Sequence, residues 1–161
     1  MISNNDILRR LRYTFDFSDA KMIELFSLAD LEVTRAQISD WLKKEDHPES
    51  KELSDMQLAI FLNGFIIDKR GKREGPQPQP EKVLNFNIIL RKLKIALQLR
   101  DDDMVDIFGQ IGFGVSKHEI SAIFRNPNQR QYRPCKEQFM RNFLHGLQVK
   151  YRGGVKEEKE N

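Results

Sequence analysis

The sequence predicts an all-α protein made of two tandem homologous four-helix repeats with helix-turn-helix-like helix pairs. The main observation is a duplication: residues 5–71 align without a gap with residues 87–153, a shift of 82 positions. Sixteen of the 67 aligned pairs are identical. A gapless repeat of this length indicates two copies of one structural unit, so it is interpreted before other sequence features. Within each repeat, apolar residues recur at the spacing of amphipathic helices, behind residues that cap helix N-termini.

Four helices are predicted in repeat one, over residues 6–15, 19–29, 35–43 and 55–69, and again 82 positions later in repeat two. In repeat one, the predicted N-caps of the first three helices are Asn5, Ser18 or Asp19, and Thr34. These helices divide the chain into repeat one (1–71), a linker (72–83), repeat two (84–153) and a tail (154–161) that is expected to be disordered.

Glycines mark the fourth helix of both repeats. Gly64 and Gly146 stand in the middle of that helix, where a glycine costs about 1 kcal/mol relative to alanine. Their presence in both copies predicts a close approach of another helix that a Cβ would block. Gly71 and Gly153 each follow an arginine and are placed to end the helix.

The composition is that of a soluble globular protein, at 39% hydrophobic and 32% charged residues. No apolar run approaches the roughly 20 residues of a membrane helix, and the N-terminus has no secretory pattern, so no membrane association is expected. Cys135 is the single cysteine, which fits a reducing, cytoplasmic setting.

The charge of the two repeats has opposite sign. Residues 5–71 carry 10 Lys and Arg against 13 Asp and Glu, a net charge of −3, whereas residues 87–153 carry 12 against 6, a net charge of +6. The asymmetry predicts different partners for the two repeats, with an anionic partner for the second. Neutral drift of solvated surface is the alternative.

The segment around Gly114-Val115-Ser116 resembles the turn and recognition-helix start of a helix-turn-helix. Repeat one has Glu32 where that turn favours glycine, and the preceding helix has Gln110 where a small residue is expected. An ordinary helix pair in a small bundle would show the same capping and apolar positions.

A nucleic-acid site is predicted on repeat two. Residues 125–134 contain three arginines, amides and a tyrosine without any acid, whereas the aligned residues 43–52 are mixed and mostly acidic. This composition suits phosphate contacts, base edges and stacking. The candidate residues are Lys117, His118, Arg125, Arg130, Tyr132, Arg133, Arg91 and Lys94. The alternatives are a basic loop that contacts another protein and, for Arg91 and Lys94, a solvated helix face.

A second apolar line in repeat two, in and around its first helix, predicts an interface with repeat one, a protein partner or a second copy. Its members are Leu84, Ile88, Ile95 and Leu99. A groove between the repeats that takes a peptide is therefore the alternative function.

Catalytic, cofactor and metal sites are not expected. The three histidines stand apart, and the acids at 101–103 suit the first turn of a helix. Cys135 replaces a leucine of repeat one, which favours packing over nucleophilic chemistry. The sequence therefore indicates a non-enzymatic binding protein.

The Leu-Arg-Arg-Leu-Arg-Tyr opening at 8–13, the Phe-Leu-x-Gly helix and the Lys-Arg-Gly ending at 69–71 resemble the YehS-like bacterial family of unknown function. The resemblance covers residues 2–153 and implies two tandem helical domains. Repeat two departs most from the pattern, since it lacks the acid-rich loop. The family supplies no activity to transfer.

Overall fold

The computed structural model describes residues 1–153, and this part of the chain contains eight α-helices and no strand. The helices are α1 (Asn4–Phe15), α2 (Asp19–Leu28), α3 (Arg35–Leu42), α4 (Asp55–Arg70), α5 (Phe86–Ala96), α6 (Asp101–Gly109), α7 (Lys117–Ile123) and α8 (Glu137–Tyr151). The prediction of an all-α protein with two four-helix repeats is confirmed. The predicted disordered tail, residues 154–161, lies outside the described residues.

The N-cap of α1 is Ser3, whereas the sequence predicted Asn5. The Ser3 hydroxyl accepts from the Asp6 amide at 3.0 Å, and the Asp6 carboxylate accepts from the Ser3 amide at 3.0 Å. Burial opposes ionisation of Asp6, but the bonds from Ser3 and the charge of Arg9 outweigh it and lower the pKa of Asp6. Asn5 lies inside the helix, 4% exposed, so its side chain does not cap α1.

The mid-helix glycines mark close helix crossings, as predicted. A Cβ on Gly64 would overlap the backbone carbonyl oxygen of Leu25 in α2. A Cβ on Gly146 would lie 2.7 Å from the carbonyl oxygen of Ile107 in α6, which no real Cβ tolerates. The fourth helix of each repeat therefore packs directly on the backbone of the second helix.

The repeats exchange helices across their interface. α1 packs mainly on α8 and α5 mainly on α4, while the first and fourth helices of the same repeat touch little. The arginines that end the fourth helices fasten this arrangement: Arg70 donates to the carbonyl of Ile95 at 3.2 Å, and Arg152 to the carbonyl of Tyr13 at 2.7 Å. These two contacts join equivalent positions of the 82-residue register, so the two repeats are related by an approximate two-fold axis.

The exchange of helices produces a hydrophobic core that both repeats share. One continuous hydrophobic cluster contains buried side chains of both repeats, from Ile7 in α1 to Leu147 in α8. Phe15 of α1 lies with its ring centroid 5.1 Å from that of Tyr151 in α8. Residues 72–83 thus connect two halves of a shared core. Within residues 1–153, the helices are too short or too polar to cross a bilayer.

Candidate nucleic-acid interface

A buried asparagine holds the basic segment of repeat two in place. The side-chain amide of Asn87 donates to the carbonyls of Ile123 at 3.0 Å and Arg133 at 2.9 Å, and its oxygen accepts from the Cys135 amide at 2.7 Å. All three partners are main-chain groups, so the clamp fixes residues 123–135 whatever side chains they carry.

Repeat one has the same clamp at the identical position. Asn5 donates to the carbonyls of Trp41 at 2.9 Å and Lys51 at 2.7 Å, and accepts from the Leu53 amide at 2.9 Å. The two segments therefore share a backbone framework and differ in the side chains that they present.

The clamped segment of repeat two borders a groove of about 730 Å³, which we call the basic groove. It is lined by His118, Glu119, Ala122, Ile123, Arg130, Gln131, Arg133, Pro134, Lys136 and Phe139. The lining thus comes from α7, from the segment after it and from the start of α8.

The charge of the basic groove is largely unpaired. Within residues 1–153, Arg130, Arg133 and Lys136 make no ion pair or side-chain hydrogen bond with another described residue. The one acid in the lining, Glu119, accepts from the Ser116 amide at 3.0 Å as part of the α7 capping box. Three cations therefore face the groove with a single, engaged carboxylate.

Three of the eight predicted residues meet in this groove, namely His118, Arg130 and Arg133. Lys136 also lines the groove and was not among the predicted residues. It could have been found from the sequence, because it lies two residues after the basic segment and replaces the capping Ser54 of repeat one.

Lys117 lies beside the groove and has a partner. Its ammonium is 2.6 Å from the Asp102 carboxylate at the start of α6. This hydrogen bond and charge hold the pKa of Asp102 below its usual value and raise the pKa of Lys117. The acids at 101–103 belong to the first turn of α6, as predicted.

Arg91 and Lys94 lie on α5 and face the C-terminal end of α7. Arg91 donates to the Phe124 carbonyl at 3.1 Å, as Arg9 donates to the Lys43 carbonyl in repeat one. Lys94 lies 3.5 Å from the Asp101 carboxylate and 4.9 Å from the ring centroid of Phe124. Both side chains are engaged in contacts that hold the fold.

Arg125 and Tyr132 are half-buried and do not line the basic groove. The aligned Lys43 of repeat one bonds Asp40 at 2.8 Å, but Ala122 stands in the aspartate's place in repeat two. The Nε of Arg125 is accordingly shielded from solvent without a hydrogen-bond partner.

The predicted apolar line divides into two parts. Leu99 is buried and Leu84 is packed against the core, whereas Ile88 and Ile95 line a second groove of about 730 Å³ between α4, α5 and the linker. This inter-repeat groove also contains Lys92, which was not among the predicted residues. Lys92 is 8% exposed and lies 2.7 Å from the Asn63 side-chain oxygen.

The helix pairs α2/α3 and α6/α7 pack against each other, as in a helix-turn-helix, but their connections are long. They comprise residues 29–34 and 110–116, against a turn of about three or four residues in the DNA-binding motif. The helix pairs therefore resemble the DNA-binding motif only in the order of their elements. The unpaired cations of the basic groove lie after α7 and not on it.

The Cys135 thiol is buried. Burial raises the pKa of the Cys135 thiol to about 12, which opposes formation of the nucleophilic thiolate. Within residues 1–153, no group of three or more His, Cys, Asp or Glu side chains could hold a metal ion.

Comparisons with known proteins agree with the duplication. The family model described as "Protein of unknown function (DUF1456)" matches the chain twice, over residues 4–71 and 86–153. The uncharacterized protein YehS of Escherichia coli strain K12 is 42% identical over 145 residues, which cover 89% of this chain and 93% of that protein. No solved structure matches significantly. The chain therefore belongs to the DUF1456 family of proteins of unknown function, as its resemblance to YehS-like proteins predicted.

Proposed function

We propose that this protein is a non-enzymatic, cytoplasmic binding protein that takes nucleic acid in the basic groove of repeat two. The observation that carries the proposal is the convergence of Arg130, Arg133 and Lys136, none of which is neutralised by a described residue. Unpaired cations beside a concave surface create a positive potential that attracts phosphate.

The comparison between the repeats supports this proposal. At the positions of Arg130, Arg133 and Lys136, repeat one has Pro48, Lys51 and Ser54. Its clamped segment, residues 43–52, carries four acids against three lysines. Since both segments are held by the same asparagine clamp, the difference lies in the side chains presented to solvent.

The mode of binding follows from the lining. The two arginines and Lys136 are suited to phosphate oxygens, while Gln131 and His118 offer hydrogen-bonding groups to bases. A groove of about 730 Å³ has the size of ordinary sites for small organic groups, roughly 300–1,000 Å³. We infer that phosphate contacts dominate the affinity and that it depends steeply on salt.

The test is a fluorescence anisotropy titration of labelled single-stranded and duplex oligonucleotides at 50 and 200 mM salt. Three phosphate contacts predict that affinity falls by about 40-fold over this range for duplex and about 20-fold for a single strand. Replacement of Arg130 and Arg133 by Ala leaves one contact and should reduce the loss to about threefold.

The matched control is the double variant Lys44→Ala, Lys51→Ala, which removes the same two charges from the clamped segment of repeat one. It should bind as the wild type does. Binding that is absent, insensitive to salt or equally weakened in both double variants would refute the proposal.

A second candidate function is the binding of an apolar peptide in the inter-repeat groove. It is favoured by the exposure of Ile95, 41%, beside Ile88 in a groove that the linker borders. Pull-down with the wild type and with an Ile88→Asp, Ile95→Asp variant tests it: a protein retained only by the wild type would support this candidate, and identical retained sets would exclude it. Light scattering on the same pair would detect a homodimer through this surface.

A further inference from the structure

A third pocket lies between α1 and α8, at the seam where the first helix of repeat one meets the fourth helix of repeat two. This α1–α8 pocket has a volume of about 270 Å³ and is lined by Ile2, Asp6, Arg9, Arg10, Tyr13 and Arg141. It shares no lining residue with the basic groove, so what it binds is independent of the function proposed above.

The pocket carries three guanidinium groups and one carboxylate, and most of these are engaged. Arg9 bonds the Asp6 carboxylate and donates to the Lys43 carbonyl at 2.8 Å. Arg141 lies 2.8 Å from the Glu137 carboxylate. Asp6 is in turn held by the Ser3 amide.

Arg10 is the exception. Its Nε is shielded from solvent and has no hydrogen-bond partner, and no carboxylate of residues 1–153 lies within ion-pair distance of its guanidinium. Burial and the like charge of Arg141 lower the pKa of Arg10, with Asp6 acting in the opposite direction. A half-buried guanidinium without an anion is unfavourable, and this one faces an open pocket.

The approximate two-fold axis supplies a direct comparison. Arg10 aligns with Lys92, which lies at the equivalent seam between α5 and α4. There the linker brings the Glu81 carboxylate to 3.0 Å from the Lys92 ammonium, and Asn63 accepts from it at 2.7 Å. The α5–α4 seam thus pairs Lys92 with a carboxylate, whereas no carboxylate of residues 1–153 pairs with Arg10 at the α1–α8 seam.

We infer that the α1–α8 pocket is a carboxylate-binding site in which Arg10 receives an acidic group from another molecule. An arginine is suited to this role because its planar guanidinium can hold a carboxylate through two parallel hydrogen bonds. The pocket volume falls below the roughly 300–1,000 Å³ of sites for drug-sized ligands, so it suits one acidic group on a short stem. That group is either a small free acid or the acidic side chain of a peptide.

The experiment follows the side-chain Nε–H resonance of Arg10 in ¹⁵N-labelled full-length protein. Sodium glutarate and N-acetyl-glutamic acid amide are added separately, with total ionic strength held constant by sodium chloride. A saturable shift of Arg10 that exceeds the shift of the exposed Arg12 supports the inference, and tighter binding of the capped amino acid assigns a peptide source. A shift no larger than that produced by sodium chloride alone overturns it.

Three variants test the inference further. Arg10→Gln should abolish the saturable response of the remaining pocket resonances, whereas Arg12→Gln on the same helix should preserve it. Glu81→Gln should leave Lys92 without its carboxylate and create a second glutarate response at the Asn63 side-chain amide. If this variant shows no response there, the comparison between the two seams is refuted even if Arg10→Gln fails to fold.

Discussion

The asparagine clamps allow stability and binding to be separated with two matched substitutions. Replacement of Asn87 by Ala removes two donated bonds and one accepted bond, all to main-chain groups. Asn87 is 6% exposed, so water replaces these partners poorly. A net contribution of about 1 kcal/mol for each bond, together with the buried groups left unsatisfied, predicts a loss of about 3–5 kcal/mol in unfolding free energy.

The same loss is expected for Asn5→Ala, since Asn5 makes the equivalent three bonds and is 4% exposed. Urea denaturation followed by circular dichroism measures both. For a protein of this size, the loss corresponds to a fall in Tm of about 6–20 °C.

The two variants should differ in binding. Asn87→Ala releases the segment that carries Arg130 and Arg133, so its affinity for nucleic acid should fall at temperatures where it is still folded. Asn5→Ala releases the acidic segment of repeat one and should bind as the wild type does. A loss of less than about 1 kcal/mol in either variant, or an equal loss of affinity in both, would refute this reasoning.

Three further predictions concern single sites. Gly64→Ala drives a Cβ into the Leu25 carbonyl and should lower the free energy of unfolding by more than about 3 kcal/mol. Gly109→Ala places its Cβ where no atom lies within 4 Å and should change the free energy of unfolding by less than about 1 kcal/mol. Urea denaturation of both variants measures the difference. Because the pKa of Asp6 is lowered on folding, its stabilisation is present above about pH 4 and is lost as the pH falls through the folded pKa. The difference in urea midpoint between wild type and Asp6→Asn should therefore shrink from pH 6 to pH 3, and a constant difference would contradict this. Burial raises the pKa of the Cys135 thiol to about 12 from an ordinary 9.0. At pH 8 the thiol should therefore react with iodoacetamide about a thousandfold more slowly in the folded than in the unfolded protein. Equal rates would contradict its burial.

Local features of the fold were predictable from the sequence. Capping residues and apolar spacing placed every helix of repeat one within about two residues of its observed ends, which is the usual uncertainty of such boundaries. The recurrence of Gly64 and Gly146 predicted close helix crossings because a glycine there has no local benefit. These signals are short-range and act within a single helix.

The exchange of helices was not predictable, for a physical reason. α1 and α5 are homologous, as are α4 and α8, so the apolar pattern of each helix does not distinguish between the two possible partners. Which pairing forms depends on the length and course of residues 72–83 and on long-range contacts such as that of Arg152 with Tyr13. The pocket around Arg10 was missed because it exists only in the exchanged arrangement.

The candidate site was predicted in part. Arg130 and Arg133 were identified because their segment, residues 125–134, lacks the four acids of the aligned residues 43–52. His118 was identified because it lies at the start of the helix that precedes this segment. Arg91 was assigned to the same site, but it is identical in both repeats and makes a contact that Arg9 also makes. Residues that are identical in the two repeats, such as Arg9 and Arg91, make equivalent structural contacts. Asn5 and Asn87 are a second such pair.

The most direct test of the proposed nucleic-acid site is a chimera in which residues 125–134 are replaced by residues 43–52 and Lys136 by Ser. The segment changes from a net charge of +3 to −1, since three arginines give way to three lysines and four acids. Because the clamp bonds only main-chain groups, we expect the chimera to fold with a similar Tm. It should show no salt-dependent binding of nucleic acid. A folded chimera that binds with the affinity and salt dependence of the wild type would contradict it.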